Sequence, residues 1–85
     1  MKISLKYFAS VREKLGTGQD SLELPGEAAT VGAVRDALVA RGGAWAEALG
    51  QDRAVRMACN QVMCGPETAV VDGAEVAFFP PVTGG

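Results

Sequence analysis

The chain has 85 residues, enough for one domain and a limited core, a size that suits a carrier or binding module better than a complete enzyme with its own deep cleft. Its net charge of −2 comes from eight basic and ten acidic residues with no basic block, which argues against nucleic acid as a partner, and no apolar run nears the ~20 residues of a membrane span. Histidine is absent and there are two cysteines, which removes the Cys-His and Ser-His pairs of most nucleophilic enzymes and leaves neither a disulfide framework nor a four-ligand zinc site.

Lys2–Phe8 alternates, with Ile3, Leu5 and Tyr7 on one face, and is expected to be a half-buried strand. Phe8 is anomalous, because it falls on the polar face at the strand's end. Ser10-Val11-Arg12-Glu13 has the form of a capping box, so a short helix is expected from there to Leu15, stopped by Gly16-Thr17-Gly18. Ser21–Leu24 reads as a second strand, antiparallel to the first. Pro25-Gly26 is a turn. Thr30 is the expected N-cap of the main helix, whose Val31, Val34 and Leu38 follow the spacing of a core-facing stripe. Arg41 is placed in its last turn and Gly42-Gly43 at its end.

A second helical piece is expected at Ala44–Leu49, with Trp45 anchoring it to the core. Val55–Cys59 reads as the third strand, with Val55, Met57 and Cys59 inward and Cys59 a small core residue. Asn60-Gln61 is a turn, Val62-Met63 a short return strand, and Glu75–Phe79 the last strand. Glu13, Glu47, Asp52 and Glu67, and likewise Lys2, Lys6 and Lys14, are expected on the solvated surface. One long helix between two hairpins is a two-layer α+β arrangement, with a mixed sheet packed on one main helix: it reads as a β-grasp, ubiquitin-like domain over residues 1–79, although ferredoxin-like arrangements use the same elements. Met1-Lys2-Ile3-Ser4 has no signal-peptide core, so the cytoplasm, where both thiols stay reduced, is the expected compartment.

Residues 80–85 read as an extended tail. Pro80 and Pro81 fix φ and disfavour helix, and the β-branched Val82 and Thr83 keep the segment extended. Gly84 and Gly85 carry no Cβ, so another protein can close tightly around them. Six extended residues reach roughly 20 Å. A carboxylate on Gly85 is a poor electrophile until an enzyme adenylates it. Displacement of AMP by sulfide then gives a thiocarboxylate, and displacement by a lysine amine gives an isopeptide bond. Phe79, Phe8 and Met63 are candidates for an exposed apolar surface, the alternative being that the two aromatics cover the sheet's far side.

The ending Phe78-Phe79-Pro80-Pro81-Val82-Thr83-Gly84-Gly85 resembles that of the small, sulfur-carrying subunits of molybdopterin synthase. Phe8-Ala9-Ser10-Val11-Arg12-Glu13, Trp45-Ala46-Glu47-Ala48-Leu49, Ala58-Cys59-Asn60-Gln61 and Asp72–Phe79 carry the likeness along nearly the whole chain. Cys59 and Cys64 are not positions that the family's mechanism needs. The resemblance implies the β-grasp fold, a Gly85 carboxylate that is adenylated and then thiocarboxylated, and a slim Gly84 that gives access to it. It implies docking through Phe8, Met63, Phe79, Pro80, Pro81, Val82 and Thr83 onto the large catalytic subunit, which supplies the acid-base groups.

The implied partners are that large subunit, an ATP-dependent activating enzyme and a sulfur donor such as a cysteine desulfurase, with no cofactor bound by the chain itself. The implied outcome is sulfur delivery to cyclic pyranopterin monophosphate, twice per molybdopterin, within a heterotetramer of two small and two large subunits. Other readings remain: a sulfur carrier for thiamine or cysteine synthesis, a modifier conjugated to lysines, and an interaction domain whose C-terminus does nothing.

Overall fold

A computed structural model describes residues 1–81; Val82, Thr83, Gly84 and Gly85, with the expectations attached to them, lie outside the described residues. In chain order the elements are β1 (Lys2–Tyr7), α1 (Ala9–Leu15), β2 (Gln19–Glu23), β3 (Ala28–Thr30), α2 (Val31–Val39), α3 (Gly43–Leu49), β4 (Arg56–Cys59), β5 (Val62–Cys64), β6 (Ala69–Val71) and β7 (Glu75–Phe79). Five strands form a mixed sheet in the order β2-β1-β7-β4-β5, and β3 pairs with β6 in a separate ribbon. At the centre β1 and β7 run parallel, while β2, β4 and β5 each pair antiparallel with their neighbours.

The alternation along β1 has the expected consequence: Ile3, Leu5 and Tyr7 are buried, as are Val76 and Phe78 of the adjoining strand. They pack with Val31, Val34 and Leu38 of α2, Val11 and Leu15 of α1, and Leu49 of α3, so the helices cover one face of the sheet. The Thr30 hydroxyl caps α2 by accepting a hydrogen bond from the Ala33 amide at 3.1 Å. Gly16, at φ 75°, ends α1 in the left-handed conformation that favours glycine.

One charge is taken inside. Arg35 of α2 is buried, and its guanidinium donates to the carbonyls of Leu49 (2.7 Å), Gly50 (2.7 Å) and Arg53 (3.0 Å). Those carbonyls lie at and beyond the end of α3, so Arg35 fixes both that helix and the loop leading to β4.

Several local expectations are corrected. Ser10 does not cap α1. Phe8 occupies the N-cap position without any side-chain cap, its carbonyl accepting from the amides of Val11 (3.2 Å) and Arg12 (3.3 Å), so the helix starts before the predicted box. Arg41 is not in the last turn of α2, which ends at Val39. It reaches instead to Asp20 Oδ2 (2.6 Å) and the Ser21 carbonyl (2.9 Å), and its guanidinium lies 5.2 Å from the centre of the Trp45 ring. Gly42 and Gly43, at φ 77° and 54°, open α3 rather than close α2. Strands β3 and β6 have no counterpart in the sequence reading, β1 stops at Tyr7, β2 starts at Gln19, and β4 starts after Val55.

Candidate functional site

The face of the sheet turned away from the helices is organised by register. Gln19, Lys6, Ala77, Ala58 and Met63 stand in one row across all five strands. The two alanines in the middle are each only 8% exposed, although no helix covers them. They form the floor of an open groove of about 930 Å³, whose lining includes Phe8, Phe79, Met63, Gln61, Lys6 and Glu75.

Phe79 lies one step further along β7 from Ala77, on the same face, paired with Arg56. Phe8 meets it edge-to-face, with ring centroids 6.5 Å apart and ring planes at 76°. Phe8 is set by the backbone on both sides. Its amide donates to the Phe78 carbonyl (3.2 Å), its carbonyl accepts from the Val11 and Arg12 amides of α1, and Ala9 turns the chain at φ 51°. A non-glycine residue there is strained by ~1–2 kcal/mol. The turn leaves the Phe8 ring on the open face, with Phe8 49% and Met63 54% exposed.

Thus the structure brings Phe8, Met63 and Phe79 together in one groove. Pro80 does not line it. That ring lies by a smaller hollow of about 250 Å³ whose lining includes Val11, Lys14, Glu47, Ala48 and Arg53. Pro81 is half-buried. The sequence reading missed Ala58, Ala77, Gln61 and Arg12 as groove residues; the pairing of β4 with β7 was the missing information, since alanine alone does not mark a floor. Glu13, Glu47, Asp52 and Glu67 are all exposed, as expected. Among the described residues no group of three His, Cys, Asp or Glu is placed to hold a metal ion. The lining combines the apolar Phe8, Met63 and Phe79 with the charged Lys6, Arg12 and Glu75 around the two-alanine floor.

On the helix-covered side, Tyr7 donates to Asp20 Oδ2 (3.0 Å) and receives the Trp45 indole N–H at 3.4 Å. Burial, outweighing the bond from Trp45 and reinforced by the Asp20 charge, pushes the Tyr7 hydroxyl up to about 12. Burial alone would raise the Asp20 carboxyl. The Arg41 guanidinium, the Ser21 amide and the Tyr7 hydroxyl together outweigh it and hold that group below its ordinary value. This network ties β1, β2, the α2–α3 linker and α3 together behind the groove.

A ubiquitin-like β-grasp domain with an open groove at the end of its last described strand is the class that fold and site define. The chain belongs to the ThiS family, whose pattern matches residues 5–85. It is 42% identical over 83 residues to the molybdopterin synthase sulfur carrier subunit of Haemophilus influenzae, covering 98% of this chain and 99% of that one. It is 43% identical over 83 residues to the Escherichia coli protein of the same name, with the same coverage. Among solved structures it is similar to Haloferax volcanii small archaeal modifier protein 1, with a TM-score of 0.76 and 28% identity over 95% of this chain and 98% of that one. No helix of the described residues is long and apolar enough to cross a membrane.

Proposed function

We propose that the chain is the sulfur carrier subunit of a molybdopterin synthase. The observation that carries this reading is the identity of 42% and 43% to two such subunits, running over 98% of the chain. The groove supports it, because its aromatic wall is Phe79, the residue immediately before the Pro80-Pro81 lead-in to the tail.

In this reading an activating enzyme joins the Gly85 carboxylate to AMP from ATP, releasing pyrophosphate. The persulfide sulfur of a donor such as a cysteine desulfurase attacks the acyl carbon and AMP leaves; a thiol then reduces the resulting acyl disulfide, forming a disulfide with the donor's sulfur and leaving Gly85 as a thiocarboxylate. The loaded chain then lays Phe8, Met63 and Phe79 against the large catalytic subunit, and its tail enters that subunit's active site. There the sulfur passes to cyclic pyranopterin monophosphate, and Gly85 returns to a carboxylate. The chain holds no cofactor and performs no acid-base step of its own. Its parts are a shaped face, a stiff lead-in at Pro80 and Pro81, and the narrow Val82-Thr83-Gly84-Gly85 end. A sheltered channel is required during transfer because thiocarboxylates hydrolyse in water.

Incubation with ATP, activating enzyme and sulfur donor is expected to exchange one oxygen of Gly85 for sulfur in the intact mass. Loss of Gly85 is expected to abolish product formation by the reconstituted synthase while the melting curve stays that of the full chain. Normal product from the shortened chain would sink the mechanism. The likeness to a small archaeal modifier protein favours one second reading, conjugation of Gly85 to lysines. Its signature is an isopeptide ladder on other proteins in extract, which a dedicated sulfur carrier does not produce.

A further inference from the structure

We infer that the helix-facing side of the β4–β5 hairpin binds one copper(I) ion, held by the thiolates of Cys59 and Cys64 with the Met57 thioether beside them. The proposal is independent of the sulfur-carrier reading and concerns the opposite face of the sheet from the groove. Register places it there. Ala58 pairs with Met63 on the groove side, so Met57, Cys59, Val62 and Cys64 share the other side. Met57 stands directly opposite Cys64, and Cys59 lies two residues along from Met57. Diagonal neighbours of this kind have Cβ atoms about 7–8 Å apart or somewhat less, so thiols turned toward each other bring their sulfurs to on the order of 4 Å. That is close to twice a metal–thiolate bond of ~2.3 Å.

Two further observations fit. Both cysteines are free. The helices do not cover this end of the sheet: Val62, on the same side, is 67% exposed and both cysteines are only half-buried. An ion therefore has a path to sulfurs that already lean on the core through Met57.

The donor set selects the metal. Two thiols and a thioether fall short of the four ligands of structural zinc but match the low coordination number of copper(I), and soft sulfur donors favour that ion. Binding forms two Cu–S bonds and releases two thiol protons to solvent, with no change of oxidation state.

The test is an anaerobic titration of the reduced full chain with copper(I) against bathocuproine disulfonate as competing chelator. The chain used carries a plain Gly85 carboxylate, checked by mass, so that no thiocarboxylate sulfur contributes. One copper per chain is expected, with an ultraviolet thiolate-to-copper band and loss of iodoacetamide labelling at both Cys59 and Cys64. Cys59→Ser/Cys64→Ser is expected to lose the ion and the band, and Met57→Leu, a volume-conserving change, to bind more weakly. Complete stripping of the native chain by the chelator overturns the proposal, as does equal retention by the double variant or one copper shared by two chains. If the double variant melts out, the labelling of the native chain decides alone: thiols that stay reactive with copper present overturn the site.

Discussion

The two faces of the five-stranded sheet are made from alternate residues of the same strands, yet they have opposite physical characters. On the helix side Ile3, Leu5, Val76 and Phe78 are at most 1% exposed and meet α1, α2 and α3. On the other side Lys6, Ala77 and Phe79, their neighbours in sequence, line an open groove that only Arg12 of α1 reaches from the helices. The first face holds the molecule together. The second presents aromatic rings whose interactions within the chain are few, and such surface is available to a partner. A substitution should therefore register in stability on one face and in affinity on the other.

That division can be broken or sharpened in a graded series. Phe78→Ala is expected to remove ~3–5 kcal/mol of stability in urea melts. A small loss there would mean that the covered face is not the main store of stability. Arg35→Met leaves three carbonyls beside α3 without their donor and is expected to lower stability by ~2–3 kcal/mol, since hydrogen bonds from a charged group are among the stronger ones.

Tyr7→Phe removes the bonds to Asp20 and Trp45 at a cost of ~1 kcal/mol. It also changes the alkaline limb. The native hydroxyl keeps its proton to about 12, whereas an unfolded tyrosine releases it near 10.0. Between those values the unfolded chain binds fewer protons than the native one, so stability is fully present below the lower value and falls as pH rises toward the upper. Urea midpoints across this window should fall in the native chain and stay flatter in Tyr7→Phe. At the small end, Phe79→Ala, at a half-buried position, is expected to cost ~1 kcal/mol, and the exposed Met63→Ala ~0.5 kcal/mol or less. Both should weaken capture by the purified large subunit in a titration. Unchanged affinity would return the open face to a merely structural role.

How much of this was legible in the chain depended on how long each signal runs. β1 announces itself through three alternating core residues, and α2 through Thr30 and a stripe of three, so both were placed well. β3 and β6 are three residues each, and Thr30 serves both as the end of a strand and as a helix cap. No periodicity exists at that length. The Ser10–Glu13 box failed because tertiary contacts already hold the backbone at Phe8, so the N-cap falls two residues earlier than the box predicts. Gly42-Gly43 marks a boundary, as glycine pairs do, but the sequence does not say which of two helices needs the positive φ.

The candidate site was legible through its misfits: Phe8 and Phe79 are large apolar residues out of phase with their strands. What stayed hidden was the shared floor of Ala58 and Ala77. It arises only from the pairing of β4 with β7, and long-range register is the quantity a single sequence encodes least locally.

The place of β7 has a consequence for when the molecule comes into being. Among the described strands it comes last in chain order, and it is inserted between β1, the first of them, and β4. The sheet cannot close while that segment is still inside a ribosome, and pairings between distant parts of a chain form late. A nascent or shortened chain therefore has neither the Phe8–Phe79 contact nor the alanine floor, and offers nothing for a partner to grip. Closure of the sheet and assembly of the groove therefore become one event, so a chain that has not folded through β7 presents no such surface.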